Sequence, residues 1–218
     1  MGAGLHTVGI VIARMGSDRF PGKMMAGLCG VPLLEFVVRR ARRIHGLDEL
    51  TLATTEQPVD DELAQIARRL GLGCYRGSSI DVAGRVLGCA RQAGADYFLR
   101  LNGDSPCIDA ELVGEGLRYL PEGYDLITNI PGRTFPYGIS LELVRTDALA
   151  GVYPRMTARE REHVTGYFYG HTERCIIKNI INPDNLEYDM KFTVDTPEDL
   201  ARLAGFFKNK PNRSWREV

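Results

Sequence analysis

Apolar positions along the 218-residue chain follow two alternating rhythms. Val8-Gly9-Ile10-Val11-Ile12-Ala13 is a nearly unbroken, β-branched run, the pattern of a strand covered on both faces. Behind Pro32, the residues Leu33, Phe36, Val37, Ala41 and Ile44 recur at three- and four-residue steps, which predicts a helix that Gly46 stops. Leu50 to Thr54 then reads as a second strand. Asp60 or Asp61 starts a helix carrying Leu63, Ile66, Ala67 and Leu70, ended by Gly71. The alternation continues with a short strand at Cys74-Tyr75, a helix over 81–93, a buried strand over 97–101, a helix capped by Asp109 and a strand over 125–129. Such repetition predicts a three-layer α/β domain around a mainly parallel sheet.

One segment departs from that rhythm. After a glycine- and proline-rich excursion over 131–138, Ile139, Leu141 and Leu143 alternate with Ser140 and Glu142, which predicts an antiparallel strand with one wet face. A helix over 160–169, a strand over 175–181 and a short strand over 192–194 follow. Thr196-Pro197-Glu198-Asp199 then combines a cap, a first-turn proline and two acids at the positive helix end, so a helix starts there and buries Leu200, Leu203, Phe206 and Phe207. Residues 208–218 have no periodicity and predict a mobile tail behind a single domain spanning 1–207.

Composition narrows the possible functions. With 44% apolar and 25% charged residues the chain supports one substantial core, and its net charge of -1 argues against a general nucleic-acid binder. The pairs Arg39-Arg40, Arg42-Arg43 and Arg68-Arg69 sit within helical patterns and read as solvated faces. Five cysteines form no C-x-x-C pair and read as reduced thiols, and His163 and His171 lack zinc-like spacing. Met1 to Thr7 shows no basic region followed by an apolar stretch, and no run reaches the length of a membrane span. A soluble cytoplasmic protein is expected.

Chemistry concentrates in three loops that leave strand ends, where open α/β sheets gather ligands. The first, Ala13-Arg14-Met15-Gly16-Ser17-Asp18-Arg19-Phe20-Pro21-Gly22-Lys23, packs three cations, two glycines and a proline into one turn. Lys23 is one of only five lysines and the only one before Lys178. Small residues admit anionic oxygens to backbone N–H groups while the cations neutralise them, as a polyphosphate requires. Five residues between Gly16 and Gly22, and Met24 after Lys23, exclude a P-loop. The second loop is Asn102-Gly103-Asp104-Ser105-Pro106, whose carboxylate suits either Mg²⁺ or a turn cap. In the third, Asp195 precedes the strongly signalled helix and could be a second cap. Taken jointly, Asp104 and Asp195 read as holders of Mg²⁺, with a triphosphate between the metal and Lys23.

The stretch from Arg14 to Lys23, followed by Leu28-Cys29-Gly30-Val31-Pro32-Leu33, resembles the A-R-x-x-S-x-R-x-P-G-K…L-x-G-x-P-L signature of the cytidylyltransferases that activate sugar acids such as 3-deoxy-manno-octulosonate and acylneuraminate. Tyr75-Arg76-Gly77-Ser78 with Asp81, Val82 and Arg85, the run Arg100 to Asp109, and Arg161-Glu162-His163-Val164-Thr165 resemble the spore-coat polysaccharide biosynthesis branch. The resemblance implies a Rossmann-like nucleotidyltransferase fold, a homodimer, and use of CTP with Mg²⁺. It places Arg14, Ser17, Arg19 and Lys23 on the triphosphate, with Ala13, Gly16, Asn102 and Gly103 also at the nucleotide. It places Asp104 and Asp195 on the metal, and Gly77, Ser78, Asp81 and Arg85 near the base. Lys23, Arg19 and Asp104 would be the catalytic groups.

Where that branch reads G-x-D-x-E, this chain has Gly138-Ile139-Ser140-Leu141-Glu142, so a carboxylate is missing at Ser140. Arg133, Tyr137, Glu142, Arg161, His163 and Tyr167 are the candidate acceptor walls, since arginine suits a carboxylate or phosphonate and tyrosine or histidine a hydroxyl. Their structural alternative is Glu142 paired with an arginine and His163 packed in a helix. Two other functions compete: a glycosyltransferase of related fold, although no D-x-D occurs in the chain, and a nucleotide-binding homologue without turnover.

Overall fold

Strand β1 (Thr7–Ile12) is buried along nearly its whole length, and in this computed structural model, which describes residues 4–184 and 190–217, it lies near the middle of the main sheet. It pairs in parallel with β2 (Glu49–Thr55) on one side and with β4 (Tyr97–Asn102) on the other, while β3 (Gly73–Gly77) extends the sheet beyond β2. Beyond β4 come β5 (Leu126–Thr128), β6 (Glu142–Arg145) and β7 (Ile177–Asn179), giving a seven-stranded order β3-β2-β1-β4-β6-β5-β7. Strand β6 runs antiparallel to both neighbours, as the alternating segment predicts. The order reverses between β1 and β4, so the loops leaving their carboxyl ends flank the switch point where such sheets bind ligands.

Helices cover both faces, because each has one apolar stripe to bury. One core joins Val11, Leu52 and Leu99 to α1 (Leu33–Ala41), α2 (Asp61–Arg69), α4 (Ala110–Leu117) and α8 (Pro197–Phe207). The other joins Ile10, Ala53 and Phe98 to α3 (Val82–Gln92), α5 (Thr146–Val152) and the short α7 (Gly166–Gly170), while the short α6 (Ala158–His163) buries no residue and lies beside α3. Among the described residues no helix is long and apolar enough to cross a membrane.

Four expectations are corrected. The predicted wet face is only half wet: Ser140 is exposed but precedes β6, which starts at Glu142, and Glu142 is 4% exposed because Arg100 of β4 neutralises it. The single helix over 160–169 is two helices, broken where Val164 takes a left-handed φ of 59°. Residues 192–194 are extended but form no strand, held instead by single bonds from Phe192 N to the Tyr137 carbonyl and from Val194 N to the Asp104 carbonyl. The tail is docked over its described part: Trp215 is buried and heads a short 3₁₀ turn, Trp215–Glu217. Met1 to Ala3 and Val218, which belong to the amino-terminal and tail readings, lie outside the described residues.

Candidate active site

The loop after β1 is shaped by its own small residues. Gly22, at φ 70°, reverses the chain so that its N–H reaches the Met15 carbonyl, and the turn delivers Lys23 into a 3₁₀ helix, Lys23–Met25. Its other anchor is Asp60, which heads α2 yet makes no side-chain cap bond there; it accepts the Met15 N–H at 2.6 Å and the Thr55 hydroxyl. Asp60 therefore holds the loop, a role with no signal in the sequence. The loop after β4 presses directly against it. Gly103 N donates to the Ile12 carbonyl, and a Cβ at Gly103 would meet Ala13 Cβ and Met24 Sδ at 3.0 Å. A side chain there would force these neighbours back by a few tenths of an ångström, so glycine gives the closest fit.

Lys23 is the centre of the resulting cluster and only 8% exposed. Its Nζ lies 2.8 Å from Asp104 Oδ2, 2.9 Å from the Val194 carbonyl and 3.9 Å from Asp195 Oδ1. Arg19 reaches the same Asp195 oxygen at 2.9 Å, and Lys191 pairs with Asp195 Oδ2. Burial works against the charge on Asp195, but Lys191, Lys23 and Arg19 outweigh it and hold the carboxyl below its ordinary value. Asp199 accepts the N–H groups of Asp195 and Thr196, so the predicted helix start fixes the Asp195 backbone.

Arg19, Lys23, Asp104 and Asp195 line a cavity of about 490 Å³ that also takes in Arg14, Gly16, Ser17, Arg85 and Asn102. Ala13 lines it as well, whereas Gly103 acts from behind as the loop contact. Gly77, Ser78 and Asp81 stand outside that lining. The Ser78 carbonyl accepts a bond from Arg85, and Asp81 caps α3 through Gly84 N while taking the Tyr153 hydroxyl. They hold the buried Arg85 at the cavity.

A smaller lobe of about 230 Å³ opens beside the first and shares Arg100, Asn102, Tyr137 and His163 with it. Arg133, Ser140 and Glu142 complete the walls that bear on the sequence reading. Arg161 and Tyr167 do not reach it. Arg161 lies over the Tyr153 ring at 4.5 Å and 3.7 Å from Asp81, and Tyr167 is buried, stacked on His171 at 4.1 Å.

The floor of this lobe is a network centred on Glu142, in which the buried Nε of Arg100 has no partner among the described residues. Glu142 Oε2 pairs with Arg100 at 2.6 Å, while Oε1 accepts the hydroxyls of Thr165 at 2.6 Å and Tyr169 at 2.7 Å. Burial and the neighbouring Glu142 charge push the Tyr169 phenol far above its ordinary value, so it stays a donor. Arg100, Thr165 and Tyr169 escaped the sequence reading, as did Lys191. Arg100 carried a signal, a lone cation inside an otherwise apolar strand; Lys191 carried only its place four residues before Asp195.

Two aspartates and a cationic wall are what a metal-bound polyphosphate needs. Among the described residues no three His, Cys, Asp or Glu side chains gather for a metal, so a cation there would take two carboxylates and complete its shell from water and phosphate. Hard carboxylate oxygens suit such a cation, which would share them with the Arg19, Lys23 and Lys191 contacts they make here.

The family model for cytidylyltransferases matches residues 8–212. The spore coat polysaccharide biosynthesis protein SpsF of Bacillus subtilis is 29% identical over 215 residues, 94% of this chain and 87% of that protein. A 3-deoxy-manno-octulosonate cytidylyltransferase of Anaeromyxobacter dehalogenans is 34% identical over 126 residues, 56% of this chain and 50% of that protein. Among solved structures, a cytidylyltransferase from Leptospira borgpetersenii superposes with a TM-score of 0.91 at 26% identity, covering 98% of this chain and 92% of that one.

Proposed function

The chain belongs to the cytidylyltransferase family, and from that premise we propose that it transfers CMP from CTP to a small anionic acceptor, a sugar acid or a related phosphate or phosphonate, with Mg²⁺ as its metal. Membership sets the glycosyltransferase reading aside. A cytoplasmic homodimer belongs to the same proposal.

The observation that carries the reading is the Lys23 ammonium, buried in the wall of the larger lobe against Asp104, the Val194 carbonyl and Asp195. In the proposed reaction an acceptor oxygen forms a bond to the α-phosphorus, the bond from that phosphorus to the bridging oxygen breaks, and pyrophosphate leaves with the electron pair. The acceptor proton passes to solvent. Charge then grows on the α-phosphoryl oxygens and on the departing pyrophosphate, so fixed cations carry most of the acceleration.

Lys23 is preorganised for this because three oxygens of the protein already fix its position. Arg19 and Arg14 line the same cavity and would hold the outer phosphates, with the N–H groups near Gly16 and Ser17. Mg²⁺ held by Asp104 and Asp195 would supply further positive charge at the phosphates and lower the acceptor hydroxyl's pKa. Arg133 and His163 would orient the acceptor in the smaller lobe, whose own acid, Glu142, is already neutralised by Arg100 and so does not repel an anion.

The test is pyrophosphate release with CTP against ATP, GTP and UTP over a panel of sugar acids, phosphate esters and phosphonates. Release with CTP and one acceptor class supports the reading. Equal release with all four nucleotides, or none with any acceptor, overturns it.

A further inference from the structure

Residues 208–217 return across the face of α1 and α8 and end on the loop that carries Asp104. Arg40 of α1, itself 8% exposed, holds this strap with two bonds, to the Pro211 carbonyl at 3.0 Å and the Arg213 carbonyl at 3.1 Å, and ties it to the loop after β4 with a third, to the Ile108 carbonyl at 3.0 Å. Arg213 lies over the Phe206 ring at 4.6 Å. Beyond it Trp215, the only tryptophan of the chain and 3% exposed, donates its indole N–H to Asp109 Oδ2 at 2.5 Å. Arg216 pairs with the same oxygen at 2.6 Å. The other Asp109 oxygen caps α4 through the N–H groups of Glu111 and Leu112. The Trp215 ring also meets Phe135 edge-on, with centroids 5.9 Å apart.

These contacts join two parts of the site that are far apart in sequence. Asp109 terminates the irregular loop that begins at Gly103 and displays Asp104, and Phe135 lies in the excursion that presents Tyr137 to both lobes. We propose that Trp215 is a positioning residue that bolts the Asp104 loop to the Tyr137 excursion and thereby fixes the carboxylate on which the metal-bound nucleotide rests. The inference builds on the function proposed above. The loop after β1 has a further anchor of its own in Asp60, so the strap bears first on the Asp104 side of the site and reaches the cationic loop only through Asp104 and Gly103. Placement errors near 1 Å at such groups change reactivity by about two orders of magnitude, which is why a distant bolt matters.

The experiment is calorimetric titration of CTP into the full-length protein at stepped MgCl₂, comparing wild type with Trp215→Ala and Trp215→Phe. Trp215→Ala is expected to keep its metal-free CTP affinity within about twofold and to need about fivefold more MgCl₂ for half its metal-dependent gain. Trp215→Phe keeps an edge contact to Phe135 but loses the N–H donor, and falls between. The lone tryptophan supplies a second readout that needs no variant: wild-type emission should shift when MgCl₂ is added to the CTP complex. Unchanged MgCl₂ dependence in a folded Trp215→Ala overturns the proposal; if that variant does not fold, wild-type dependence in Trp215→Phe together with unmoved emission does the same. Failure of wild type to bind CTP at all would instead count against the proposed function.

Discussion

The larger lobe and the smaller lobe share a wall, yet their charges are arranged in opposite ways. In the larger, cations outnumber the acids they touch: Arg19 and Lys23 meet Asp104 and Asp195 at the cavity itself, and Lys191 pairs with Asp195 from outside its lining. In the smaller, Arg100 and Glu142 cancel each other in the floor, and the hydroxyls of Thr165 and Tyr169 use up the remaining carboxylate oxygen. The first arrangement leaves charge available to a ligand; the second spends it on holding β4, β6 and α7 together. A charged residue at a cavity is thus not by itself a ligand contact, and whether its partners exhaust it decides its role.

Substitution of Glu142 should give the largest effect and break the contrast if it does not. Glu142→Ala strands Arg100 with a buried charge and is expected to lower stability by about 3 kcal/mol, read as a reduced urea midpoint. A midpoint equal to wild type would mean that Glu142 does not hold the floor together. On the other side, Lys23→Ala leaves Asp104 30% exposed to water and Asp195 still paired with Arg19 and Lys191, so its main effect should be on turnover, reduced by about 10²-fold as loss of a preorganised charge-stabilising group does. Near wild-type pyrophosphate release from that variant would remove Lys23 from the chemistry.

The smallest effect sharpens the shared wall, because α6, which presents His163, is set by a capping box between Thr157 and Glu160. The Thr157 N–H and hydroxyl hold the Glu160 carboxyl below its ordinary value. With its folded value depressed, Glu160 contributes stability that is complete above its unfolded value near pH 4 and is lost as pH falls through the folded value. The urea midpoints of wild type and Glu160→Gln should therefore differ by a constant amount at neutral pH and converge in acid. A difference independent of pH would show that the carboxylate is not what caps α6.

Much of the larger lobe is legible in the sequence because its chemistry is local. Arg14 to Lys23 is one loop, Asp104 sits in a short turn after an apolar strand, and Asp195 precedes an unmistakable helix start, so strand ends alone bring them together. The parallel half of the sheet was readable for the same reason, since continuous apolar runs alternate with helical spacing. The smaller lobe resists such reading. Its floor draws Arg100, Glu142, Thr165 and Tyr169 from β4, β6 and the α6–α7 region, and the period-two pattern of 139–144 pointed Glu142 to solvent when a cross-strand arginine had made it buriable. Arg161 and Tyr167 looked like wall residues by type, yet one is held by Tyr153 and Asp81 and the other by core packing. The tail misled in a similar way: lacking periodicity, it docks through Arg40 bonds to backbone carbonyls and one tryptophan, neither of which has a sequence period.

The central claim is that the junction of the two lobes joins CMP to an acceptor by a reaction that depends on Lys23. Mass spectrometry of a reaction with CTP, MgCl₂ and the preferred acceptor, with pyrophosphate measured in parallel, tests it directly. The account predicts one CMP-linked product per pyrophosphate released, with both falling together in Lys23→Ala. Pyrophosphate accompanied by free CMP and no linked product, or full product from Lys23→Ala, would contradict it.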